Sequence, residues 1–189
     1  DTPYRQEWKW SLAPGCPVNV SEITLSPHVG AHADAPLHYQ NGAAAIGAVS
    51  LEPFLGPCRV IHAIDCGPLI TPEHLLHAAN NLPPRILVRT AKHAAQEWWT
   101  DDFSAYAPQT IEWLAERGVM LIGLDTPSID PASSKTLDSH HTILRHDIRV
   151  LENLVLDDVP EGDYELIALP LALIQADASP VRAVLRELG

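Results

Sequence analysis

The chain has 189 residues, 46% of them hydrophobic, and a formal net charge of −12. That length supports a real core, and the composition excludes a disordered or fibrous protein. The charge argues against a nucleic-acid partner, because an acidic surface repels phosphate, and no apolar run reaches the roughly 18 to 20 residues of a bilayer span.

In chain order, "VNVSEITL" alternates apolar and polar residues and predicts a half-buried strand. "CRVIHAID" and "RILVRT" are short, β-branched and bounded by Gly or Pro, so both predict strands. "TPEHLLHAAN" predicts a short helix, with Thr71 as cap, Pro72 at the first helical position and Glu73 in the first turn. "PQTIEWLAERG" predicts a second helix, with Ile111, Leu114 and Ala115 on one face and Gly118 as its stop. "VMLIGLDTPSID" predicts a buried strand running into a polar loop, and "DSHHTILRHDI" a helix. "YELIALPLAL" and "SPVRAVLREL" predict strands. Helices and strands interleave, but several strand pairs lack an intervening helix, so the expected fold is mixed α/β, a single domain over residues 1–189. No Gly-rich phosphate loop is present. Cys16, Cys58 and Cys66 are odd in number and form no CxxC pair, which predicts reduced thiols in a cytoplasmic protein.

The chemistry concentrates in "SPHVGAHADAPLHY", which holds His28, His32, Asp34 and His38. A helix would set His28 and His32 against Asp34 and His38. A straight strand would separate His28 from His38 by roughly 33 Å at 3.3 Å per residue. Metal ligands must lie about 2.0 to 2.2 Å from their ion, so neither regular structure gathers all four. A strand that bends at Gly30 and turns again through "DAP" would do so. Imidazole and carboxylate suit zinc, and also manganese or iron. The competing reading is a histidine-rich surface loop.

A second group of donors lies in "LDSHHTILRHDIRVLENL", with Asp138, His140, His141, His146, Asp147 and Glu152. If His140 and Glu152 serve one ion, the helix must end between them, since a straight helix parts them by about 18 Å. His62, His74, His77 and His93 stand singly and read as structural or surface residues. A serine mechanism has only Ser128 in "DTPSID" to offer, without a GxSxG elbow. Asp125 and Ser128 instead fit a role in shaping the site.

"HVGAHADAPLH" resembles the HxGTHxDxPxH signature of the cyclase-like metal-dependent hydrolases, and within them the bacterial kynurenine formamidases (arylformamidases). The resemblance continues through "AIGAVSLEPFLGPCRVI", "LIGLDTPSIDP", "SKTLDSHH", "LENLVLDDVPEGDYELIALPL" and "DASPVRAVLREL". It implies a cyclase-like swivelling β/β/α domain, a homodimer, and two zinc ions per subunit. It implies His28, His32 and Asp34 as the first ligands, with Asp34 bridging, and His140 and Glu152 as ligands of the second ion. His38 matches a residue of proton transfer. The implied reaction is hydrolysis of N-formyl-L-kynurenine to L-kynurenine and formate, in tryptophan degradation. The alternatives are a related hydrolase of a cyclic amide or imide such as isatin, and a metal-binding protein without catalysis. Ala31 departs from the family's Thr. The family's opening segment normally ends in "WPGDTP", so further residues are expected before the "DTP" that begins here. Phe54, Tyr39, Trp98 and Trp99 are candidate walls for an aromatic substrate.

Overall fold

The computed structural model of the chain describes residues 3–94 and 98–188; Asp1 and Thr2 of the "DTP" opening lie outside them. Twelve strands are present in the described residues: β1 (Arg5–Trp10), β2 (Val20–Thr24), β3 (His32–Asp34), β4 (Leu55–His62), β5 (Leu69–Ile70), β6 (Arg85–Arg89), β7 (Ala105–Tyr106), β8 (Leu121–Leu124), β9 (Arg149–Glu152), β10 (Gly162–Ile167), β11 (Ala178–Pro180) and β12 (Val184–Glu187). The helices are α1 (Pro36–Tyr39), α2 (Pro72–Leu75), α3 (Pro108–Ala115) and α4 (Asp138–Arg145).

Eight strands form one mixed sheet in the order β11-β3-β9-β8-β6-β4-β10-β12. The four central strands run parallel, because the segments between them carry helices that return the chain. Antiparallel strands extend both sides. The expected mixed α/β fold is therefore present.

Strand alternation divides the core in two. Ile61, Ile86, Val88, Ile122, Leu124 and Val150 face helices α3 and α4. Val60, Leu87, Leu121, Leu151 and Leu166 face the other way, among Phe54, Leu154 and Leu156. Gly123 is small because a Cβ there would lie 2.6 Å from Leu87 Cδ2. On β3, Ala33 joins the second core, so His32 and Asp34 point to the helix side. Glu152 pairs across from His32 and shares that side.

Three expectations change. "VNVSEITL" forms β2, but β2 is almost wholly exposed and pairs only with β1, in a hairpin outside the main sheet. Its alternation reflects two faces of a ribbon rather than a core face. "SPVRAVLREL" splits into β11 and β12 on opposite edges of the sheet. "YELIALPLAL" keeps a strand only to Ile167, since Pro170 cannot donate to a ladder.

Candidate metal centre

The opening motif uses three local structures. His28 lies in a turn, Gly30 bends the chain at φ +65°, and His32 to Asp34 form the short strand β3. Pro36 then starts α1 at its first position, and this single turn carries His38. Helix α4 ends at Arg145, between His140 and Glu152, as joint use of those two residues requires.

Asp34 stands at the centre. His28 Nδ1 is 3.1 Å and His32 Nε2 3.4 Å from its Oδ1. His140 Nε2 is 3.5 Å and His38 Nε2 4.0 Å from its Oδ2. Glu152 Oε2 lies 3.4 Å from His32 Nε2 and Oε1 3.7 Å from His140 Nε2. The structure thus brings all six predicted site residues together.

The ring orientations follow from their outer hydrogen bonds. His32 Nδ1 donates to the Gly30 carbonyl at 2.8 Å, which leaves Nε2 as a lone pair facing inward. His140 Nδ1 donates to Asp130 Oδ2 at 2.6 Å, again leaving Nε2 inward. Asp130 also accepts from the Ser139 and His140 amides at the start of α4. Glu152 Oε1 accepts from the Ile129 amide at 2.8 Å. Asp177 Oδ2 is 2.9 Å from His28 Nε2 and 3.1 Å from His38 Nδ1.

The donor set fits a metal. Among the described residues, the buried side-chain atoms without a hydrogen-bond partner include His32 Nε2, His140 Nε2 and both Asp34 oxygens. Such groups are costly to leave unmatched, and here they lie together, His32 Nε2 beside Oδ1 and His140 Nε2 beside Oδ2 of Asp34. In the cation-free protein, protons take the balancing role. Burial opposes charge on His28 and His140, but Asp34 with Asp177, and Asp130 with Asp34, outweigh it and raise the two rings to about 9 and about 10. His32 shifts up for the same reason, and Asp34 is driven well below the usual carboxylate range against its own burial. A divalent cation would displace those protons.

His141 and His146 are exposed, so the "HH" pair resolves geometrically to His140. His62, His74 and His77 bond to the Val159 carbonyl, to Thr71 and to Glu161, away from the cluster. His93 sits 3.5 Å from Asp157. Ser128 Oγ accepts from the Asp130 amide, and no histidine hydrogen-bonds to it among the described residues. Asp125 bonds to Thr90 and Ala91 rather than to the cluster.

Of the candidate aromatics, Phe54 is fully buried in the second core and forms no wall of this site. Trp98 and Trp99 are exposed. Tyr39 does reach the site: its ring is 5.3 Å from that of His140, and its buried hydroxyl has no partner. Sequence reading missed Asp130 and Asp177. Asp130 lay in "LDTPSID", and its position shortly before a helix that opens with a histidine was the available signal. Asp177 carried no local signal at all.

Fold and donor set together define a class, the metal-dependent hydrolases built on a mixed α/β sheet. Residues 2–131 match the family model described as "Putative cyclase". The chain is 86% identical over 189 residues to a protein of Bordetella petrii named kynurenine formamidase, covering 100% of this chain and 90% of the relative. A solved structure described as a potential metal-dependent hydrolase with cyclase activity matches with a TM-score of 0.80 at 25% identity, covering 98% of this chain and 100% of that one. Isatin hydrolase A from Ralstonia solanacearum matches with a TM-score of 0.76 at 22% identity, covering 98% of this chain and 82% of that one, a likeness of fold. The chain belongs to the cyclase family.

Proposed function

We propose that the chain hydrolyses the formamide of N-formyl-L-kynurenine to L-kynurenine and formate, with two zinc ions per subunit. The observation that carries this reading is the 86% identity, over the full chain, to a kynurenine formamidase. The unpartnered donor atoms around Asp34 support the metal requirement. His28, His32 and Asp34 would hold the first ion, and Asp34, His140 and Glu152 would hold the second. Bound zinc supplies Lewis acidity, which lowers the pKa of water toward ~7 and polarises a carbonyl.

The remaining chemistry belongs to the chain. His38 takes a proton from the attacking water as its oxygen bonds to the formyl carbon. The same ring returns that proton to the leaving aniline nitrogen when the C–N bond breaks, so formate carries the water oxygen. Tyr39, kept a neutral phenol by burial, offers one hydroxyl beside His140.

The protein works as a homodimer in this reading. Trp8 and Trp10 are 59% and 61% exposed on a hairpin outside the main sheet, an apolar arm suited to a second copy. Among the described residues no helix is long and apolar enough to cross a membrane. Free Cys16, Cys58 and Cys66 accord with a reducing cytoplasm. The test is a formamidase assay with metal analysis on purified protein. Chelation should abolish turnover and zinc restore it; undiminished turnover after complete metal removal would sink the mechanism. A substrate panel that includes isatin tests the cyclic-substrate alternative.

A further inference from the structure

We propose that Asp177 is the positioning residue that aims His38, an inference resting on the assignment of His38 as the base. Asp177 Oδ2 lies 3.1 Å from His38 Nδ1. A carboxylate at that site only accepts, so Nδ1 carries the proton. The other nitrogen, Nε2, is then the basic one, and it is the atom that faces the cluster, 4.0 Å from Asp34 Oδ2. One acceptor therefore selects both the tautomer and the direction of the ring.

His38 needs such a support. It sits on a helix of one turn, its side chain is 32% exposed, and the bond to Asp177 is the only side-chain hydrogen bond it makes among the described residues. An exposed imidazole without that bond would distribute over several rotamers. The support is itself fixed by backbone. The Ala35 amide donates to the Asp177 carbonyl at 2.8 Å, and Ala35 caps α1. The next residue, Ala178, pairs with Asp34 across β11 and β3. The carboxylate and the ring it holds are thus mounted on one pair of strands. Asp177 also reaches His28 Nε2 at 2.9 Å, which leaves His28 Nδ1 toward Asp34.

The experiment uses the zinc-loaded protein and its variants Asp177→Ala, Asp177→Asn, His38→Ala and the double Asp177→Ala, His38→Ala. With zinc held saturating, because Asp177 also touches the ligand His28, Asp177→Ala should lower kcat by about 10–100-fold, the usual cost of losing an outer partner, with KM unchanged. Asp177→Asn should recover most of the loss, because the amide oxygen accepts the same Nδ1–H. In the His38→Ala background the Asp177→Ala change should cost less than about twofold, since the residue it acts through is gone. With zinc saturating, an additive loss in the double variant, a loss in Asp177→Ala that tracks zinc content alone, or an unchanged kcat in Asp177→Ala overturns the Asp177 role alone. Full activity in His38→Ala would instead remove the base assignment, and this inference with it.

Discussion

Two buried aspartates close strands of the same sheet, Asp34 at the end of β3 and Asp125 directly after β8. Asp125 accepts from the Thr90 amide and hydroxyl and from the Ala91 amide. Neither oxygen of Asp34 has a hydrogen-bond partner. Burial raises the pKa of Asp125 in spite of its bonds, whereas at Asp34 the surrounding imidazoles overcome burial and lower it. Asp125 is a carboxylate that ties two loops together, and Asp34 is one whose acceptors are still unspent. Burial alone does not mark a site; buried acceptor capacity without a donor does.

Substitution separates the two most sharply. Asp34→Ala should lose metal and reduce activity on the order of 10³-fold or more, beyond the ~10–100-fold of an outer partner; elemental analysis and turnover read both. Next comes His38→Ala, expected to lower kcat by about 10²–10⁴-fold while keeping its metal. Equal metal loss in the two variants would make His38 a ligand. Asp130→Ala should weaken metal affinity by about 10–100-fold, measured by competition with a chelator. Asp125→Ala should keep metal and cost about 1–3 kcal/mol of stability, because it strands buried amides. Metal loss there as large as in Asp34→Ala would end the contrast.

The smallest effect is in pH. The metal-free protein gains stability from His28 and His140, raised above 6.5 to about 9 and about 10. A group raised on folding contributes fully below its unfolded pKa and loses that contribution as pH rises through its folded value. The melting temperature of chelated protein should therefore fall between pH 6.5 and about 10. Metal binding should have the opposite slope, weakening as pH falls because protons compete for the same nitrogens. Parallel slopes with and without zinc would show that the cluster does not exchange protons for metal.

The candidate site was legible because its donors are dense in sequence. His28, His32, Asp34 and His38 crowd one loop, and gathering them round an ion calls for a bend that Gly30 permits. The helix stop between His140 and Glu152 is expected on condition that both serve one ion, a pairing that the family resemblance supplies. What stayed hidden were partners set by tertiary contact. Asp177 meets His28 from 149 residues away, and no local pattern encodes such a meeting. The buried strands were readable from β-branched runs, and β2 from its alternation, but the exposure of β2 was not, because two exposed faces alternate as regularly as one buried face. The division of "SPVRAVLREL" between opposite edges depends on a loop path that periodicity does not record.

The rung that pairs His32 with Glu152 has a further consequence. Strand β3 is three residues long, and only Ala33 ties it to the second core. A slip of one residue would turn both His32 and Asp34 to the wrong face. Alignment of β3 and assembly of the donor cluster around Asp34 are therefore coupled. Amide exchange along this three-residue strand should slow when an ion binds.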